Sequence, residues 1–384
     1  MNSRMENRPS SATNRCLIIN ELPEQIARAL ECLGIGNLPA FVLTRRAFMQ
    51  PGLNILWSNL KGLHPLCHVL QCHSSRCDWE RLAKYAALVR HITIWNEEDM
   101  DLELIKYWSN RKASSSILPN LRHLTWLIHG IEEAWCSLSL IKPLLENVSL
   151  SVDSGVSATD LNRIHAACWD VLRIAANLRT ATFDLYGDNG SDSDDDTDTT
   201  SQSACGVDVP LPPISSWDRL ERFSHRFSIS TDSLNHLSWL PDLKELNVAF
   251  EPRLSFETPS SKPFFPSLVV LVLIVPTVES LSVTISLIRH IQSTRLETLV
   301  INADEQPGEI QVHALMQAIG LHKGLHNVSL SSISTSERHG SPCLLTDTTL
   351  EPLFALTAPR AITTWPAVEA LELGTHRYYA SLEV

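Results

Sequence analysis

LPDLKELNV, residues 240–248, sets Leu243, Leu246 and Val248 at the spacing L-x-x-L-x-L, just after a Leu240-Pro241 step. Residues two apart on an extended chain point to one face, so Leu246 and Val248 share a face. Leu243 then packs in the turn that leads into the strand. LPNLRHLTW, residues 118–126, has nearly the same form with Leu121, Leu124 and Trp126. One short strand of this kind cannot bury its apolar face alone, whereas stacked copies can.

With other apolar residues allowed, the phrase recurs along the chain. It stands at Val89/Ile92/Ile94, Leu121/Leu124/Trp126, Leu145/Val148/Leu150 and Leu178/Ala181/Phe183, then in a degenerate copy around Leu220/Phe223. It continues at Leu243/Leu246/Val248, Leu268/Leu271/Leu273, Leu296/Leu299/Ile301, Leu325/Val328/Leu330 and Val368/Leu371/Leu373. Most copies begin 23 to 33 residues apart, near the roughly 20–29-residue period of leucine-rich repeats. Between copies lie helical stripes. Residues 160–176 align Leu161, Ile164, Ala167/Cys168, Val171/Leu172 and Ala175, and residues 310–320 align Val312, Leu315, Met316 and Ile319. The reading is an α/β chain whose residues 89–384 form a curved, irregular leucine-rich-repeat-like solenoid with parallel strands. An ordinary parallel α/β sheet is the alternative, but no glycine-rich dinucleotide or phosphate-loop motif accompanies it. The array is divergent: Val248 is followed by Ala-Phe-Glu-Pro, without the Asn or Cys that usually satisfies the turn.

The chain has 384 residues, 44% of them hydrophobic, and a formal net charge of −12. That length suits two domains or an elongated array. The charge argues against a general nucleic-acid binder. The polar opening MNSRMENRPSSATNR lacks an apolar core segment, and residues 1–16 are expected to be disordered. The apolar run Leu268–Val275 stops at Pro276 and Glu279, too short for a bilayer. Nine scattered cysteines fit a reduced compartment. The expectation is a cytoplasmic or nuclear protein with no membrane partner.

Residues 17–60 have another rhythm. Leu22, Ile26 and Leu30 are four apart on a helix that Pro23 can start, and Gly34 and Gly36 break it. Asn37 and Pro39 open a second helix carrying Phe41, Val42 and Phe48; Pro51 opens a third with Leu53, Leu56 and Trp57. So much apolar surface in so small a bundle favours a partner face. Residues 61–88 read as a helical linker and solenoid cap.

This segment resembles an F-box: Leu22-Pro23, Ile26, a Leu30-centred first helix, an arginine-containing second helix and a terminal Leu56-Trp57. RRAFMQPGLNILWSNLKGLHPL at 45–66, followed by DWERLAKYAALVRHI at 78–92, is similar to the F-box/leucine-rich-repeat proteins of mushroom-forming fungi. It departs from them at Thr44-Arg45, where Val-Cys precedes the arginine in many members, and at Gly34-Ile35-Gly36. The resemblance implies a three-helix F-box-like bundle that binds a Skp-type adaptor and, through it, a cullin–RING ubiquitin ligase. The implied adaptor contacts are Leu22, Pro23, Ile26, Leu30, Leu38, Val42 and Trp57. The repeats would hold an unknown protein substrate, with Thr125, Ser149, Asn247, Val272 and Ser329 on the concave side by geometry. The rival reading is a repeat scaffold with no ligase connection.

Other constellations are weaker. HPLCHVLQCHSSRC, residues 64–77, gathers His64, Cys67, His68, Cys72, His73 and Cys77, but no C-x-x-C pair. It reads best as a linker helix packing Leu66, Val69 and Leu70, with its histidines in solvent. Residues 184–203 carry Asp184, Asp188, Asp192, Asp194, Asp195, Asp196 and Asp198; the spacing fails the EF-hand pattern, and 187–203 read as a disordered acidic loop, with Ser191 and Ser193 open to acidophilic phosphorylation. No catalytic or metal motif and no cofactor site stands out. Finally, TDTTLEPLFAL at 346–356 runs into APRAITTWPAVEALEL, which predicts a strand–turn segment lost near Thr357-Ala358. Strand stacking should then break after Leu330, leaving Leu371 more exposed than Leu246 or Leu271.

Overall fold

In the computed structural model the chain divides into two compact units, Met1–His123 and Leu124–Val384. Residues 21–33, 37–70, 79–95, 105, 117–141, 143–153, 155–172, 174–186, 217–250, 263–303, 309–332 and 370–373 are described.

The first unit opens with α1 (Glu21–Leu33), α2 (Asn37–Thr44) and α3 (Arg46–Ser58). Pro23 lies in the first turn of α1, where its missing N–H is harmless. Ala27, Leu38 and Ile55 bury between the helices, and Leu30, Phe41 and Leu56 pack around them. Pro51 does not open α3 as its sequence position suggests; it lies inside that helix. The interior proline forfeits one helical hydrogen bond, and burial of Ile55 and Trp57 beyond it offsets the loss. Phe48 accordingly belongs to α3, and stacks on Phe41 with ring centroids 4.5 Å apart.

From α3 the chain passes directly into β1 (Asn59–Lys61). Gly62 follows at φ 76°, a left-handed conformation that favours glycine, and its N–H donates to Thr93 O (2.7 Å). Next come α4 (His64–Leu70), α5 (Trp79–Ala86) and β2 (His91–Ile94), which pairs parallel with β1.

The second unit is a sheet with helices between its strands. The strands are β3 (His123–Ile128), β4 (Asn147–Asp153), β5 (Thr180–Tyr186), β6 (Arg222–Ile229), β7 (Glu245–Phe250), β8 (Val270–Val275), β9 (Thr298–Ala303), β10 (Asn327–Ser332) and β11 (Ala370–Leu373). They lie side by side in chain order, and each neighbouring pair from β4 to β11 is parallel. The intervening helices are α6 (Ile131–Leu140), α7 (Ala158–Leu172), α8 (Thr231–Ser238), α9 (Val278–His290) and α10 (Glu309–Ile319). Ser230 and Thr277 cap α8 and α9 by accepting from the N–H groups of Ser233 and Ser280.

The phrase sets the register. Leu246 stands opposite Phe223 on one side and Leu271 on the other, and Val328 stands between Leu299 and Leu371. The first apolar residue of each copy is buried, from Val89 to Leu325. The residue after it supplies a carbonyl that takes two N–H groups of the next copy. Lys244 N and Glu245 N both donate to Glu221 O (2.8 and 3.0 Å), and Val269 N and Val270 N to Lys244 O (2.8 and 2.9 Å). Glu146, Arg179, Val269 and Glu297 carbonyls act alike. The ladder thus begins one residue before each strand, where entering N–H groups would otherwise lack acceptors.

A copy missed in the sequence stands at Trp57/Leu60: Arg90 N donates to Ser58 O (2.9 Å), and Leu60 pairs opposite Ile92. The break expected after Leu330 is absent. Asn327 through Leu330 pair with Ala370 through Leu373. A free strand edge accepts any matching phrase, and a long connection adds little closure entropy. The exposure of Leu371, residues 1–20 and the acidic stretch 187–203 lie outside the described residues.

Candidate docking surfaces

The helices of the first unit present a mixed face. On α1, Pro23 and Ala27 are buried while Leu22, Ile26 and Leu30 are half-buried. The i, i+4 row therefore straddles the helix boundary: one flank packs inward and the other meets solvent. On α2, Leu38 is 1% exposed and belongs to the core. Val42 is half-buried and seated over Gly52 of α3. Trp57 is also taken up inside, 8% exposed, with its ring 4.7 Å from that of Tyr85.

Two residues not singled out in the sequence are exposed large apolar side chains on α2 and α3. Leu43 is 85% exposed and Met49 is 45% exposed. Leu43 lies five residues after buried Leu38, off the helical spacing, whereas Met49 lies eight before buried Trp57, on it, and carried no such signal. Leu22, Ile26, Leu30, Val42, Leu43 and Met49 are thus the members of this set that a partner can reach.

In the second unit the strand residues opposite the core form a separate surface. Ser149, Thr182, Ser224, Asn247, Val272, Val300 and Ser329 share one register row from β4 to β10. All are half-buried, as is Thr125 on β3. The row changes chemistry along its length, from hydroxyls and an amide to valines. Asn247 Nδ2 donates to Ser224 Oγ (3.1 Å), while its Oδ1 is buried without a partner.

Several charges on and beside this surface are paired. Arg226 Nε lies 2.6 Å from Asp184 Oδ1. At the strand ends His129 Nδ1 meets Asp153 Oδ2 at 2.8 Å. The Gly155 N–H, and then His129, hold the Asp153 carboxyl below its usual range. Along the strand entries, Glu221 bridges Arg179 (3.3 Å) and Lys244 (2.8 Å), and Lys244 keeps its carboxyl low.

The described part of the His/Cys stretch does not converge. Cys67 is buried and its thiol donates to Leu63 O (3.3 Å), while His68 is exposed and His64 half-buried. Among the described residues no cluster of three or more His, Cys, Asp or Glu side chains is placed to hold a metal ion. Cys72, His73 and Cys77 lie outside them. Among the described residues no helix is long and apolar enough to cross a membrane. No protein-family model matches the chain, and no curated protein matches its sequence.

Proposed function

We propose that this chain is an F-box-type substrate receptor, cytoplasmic or nuclear, of a cullin–RING ubiquitin ligase. The N-terminal helices bind a Skp-type adaptor, and a leucine-rich-repeat-like solenoid holds a protein target. It performs no chemistry itself; it raises the effective concentration of the target beside the transferring enzyme. The observation that carries the reading is the half-exposed apolar row of α1, together with exposed Leu43 on α2 and exposed Met49 on α3, in a segment whose sequence resembles an F-box. Strands in strict chain order, each in phrase-on-phrase register, support the repeat part.

The test is co-purification with a Skp-type adaptor. The intact chain is expected to form a one-to-one complex. Leu43→Asp with Met49→Asp, both at exposed positions, is expected to weaken it at least about tenfold without lowering the melting temperature. No complex with the intact chain would sink the reading.

The inward placement of Trp57 and Leu38 favours a second reading, a protein-binding scaffold with no ligase connection. In that case the bundle serves as a structural cap, and the adaptor does not bind.

A further inference from the structure

The degenerate copy of the phrase differs from the others at one position. Its third apolar place is filled by His225, where other copies have Ile94, Trp126, Leu150, Phe183, Val248, Leu273 or Ile301. His225 is fully buried, 0% exposed. Its ring sits among Phe183, Phe223 and Phe227, with centroid distances of 5.7, 5.9 and 5.4 Å. A second imidazole reaches it from α7: His165, 3% exposed, brings its Nε2 to 2.5 Å from His225 Nε2.

The strand is irregular at the same place. Register with β7 jumps from His225↔Val248 to Ser228↔Ala249, so Arg226 and Phe227 bulge out of the pairing. His225 Nδ1 lies 2.8 Å from Phe227 O. A carbonyl only accepts, so Nδ1 carries a proton, and in the neutral ring His225 Nε2 is then bare. His165 must then donate from Nε2. In the neutral pair the two rings form one directed chain, His165 Nε2–H to His225 Nε2 and His225 Nδ1–H to Phe227 O.

We propose that the His165–His225 pair is a proton-sensitive latch on the β6 bulge, holding it closed while both rings are neutral and releasing it when they take up protons from solvent. The first proton places a full charge among three phenylalanines, which costs desolvation free energy. The second sets N–H against N–H across the short contact. Release at Arg226 and Phe227 detaches Arg226 from Asp184 on the opposite face, because the residues alternate across the strand.

Among the described residues, charged groups on the surrounding elements have partners of their own. Asp160 and Arg163 of α7 pair with each other (3.9 Å), Asp184 of β5 pairs with Arg226 (2.6 Å), and Glu245 of β7 pairs with Arg222 (3.2 Å). On α6, Glu133 accepts from His129 N (2.7 Å). Burial, not a neighbouring carboxylate or base, is the main influence on both rings, and pushes each below the ordinary histidine value. The latch does not depend on the proposed function.

Amide hydrogen exchange on the full chain tests it, after correction for intrinsic rates, between about pH 7 and about pH 4.5. Wild-type protection over residues 222–229 is expected to fall about tenfold or more relative to 270–275 and 298–303. In His225→Leu, which restores the usual apolar third position, that selective loss is expected to vanish. Equal loss in every strand, or the same selective loss in His225→Leu, would overturn the latch. Imidazole nitrogen spectra of the wild type at neutral pH give a second test that needs no variant. They are expected to show an Nδ1–H tautomer for His225 and Nε2–H for His165; a charged ring in either place overturns the proposal.

Discussion

Val42 on α2 fills the notch that Gly52 leaves on α3. A methyl group at Gly52 would overlap Val42 Cγ2 and come within 3.7 Å of Phe41 Cδ1. The closeness of the two helices therefore depends on the absence of one carbon. Gly52→Ala is expected to lower stability by about 1–3 kcal/mol, as overpacking does in close-packed interiors. Val42→Ala in the same chain should recover part of that loss. Thermal melting of the two single variants and the double variant checks it; additive losses would show that the notch is not the cause.

Leu246 and Leu330 hold the second and third places of their copies, but differ in depth. Leu246 is 1% exposed between Phe223 and Leu271, whereas Leu330 is half-buried. Leu246→Ala should cost about 2–5 kcal/mol, and Leu330→Ala clearly less. Urea unfolding of both variants measures the difference. Equal losses would mean that position in the array does not grade the core.

Glu221 links Arg179 and Lys244 at the strand entries, with its side chain 30% exposed. Exposed ion pairs contribute little, so Glu221→Gln is expected to change stability by no more than about 1 kcal/mol. The difference from wild type should shrink in about 1 M salt, where screening is nearly complete. A larger or salt-independent loss would point to a packing role for the side chain.

The histidine pair gives the second unit an acid limb. Burial lowers the His225 pKa from 6.5 to about 4, and His165 shifts in the same direction. The folded state keeps the rings neutral while the unfolded chain takes protons, so stability falls as pH drops below 6.5. The His225 part levels off below about 4 and amounts to at most roughly 3 kcal/mol. Asp153 and Glu221, held below the usual carboxylate range, stabilise above that range and lose their part as pH falls through their folded values. Urea midpoints at pH 7 and pH 5 should differ in the wild type and differ less in His225→Leu. An unchanged difference would place the acid limb elsewhere.

The L-x-x-L-x-L phrase by itself determined the parallel α/β array and its register. Alternation along a strand is a local property, so each copy carries its own burial pattern. Even the degenerate copy at Leu220/Phe223 and the last one at Leu371/Leu373 pair where the phrase puts them. The helices at 158–172 and 309–319 were legible for the same reason, from apolar stripes at helical spacing. Tertiary structure decided the rest. Trp57 reads as a docking group beside Leu56, yet it opens an additional copy of the phrase and packs on Tyr85. Val42 finds Gly52 only once two helices meet, and Pro51 is tolerated inside α3 only because the residues around it bury. His165 and His225 are 60 residues apart, and a local pattern shows the second merely as a defect in an apolar phrase. Proximity of that kind comes from the side-by-side pairing of strands with helices between them, and it turns the defect into a hydrogen-bonded pair at a strand bulge.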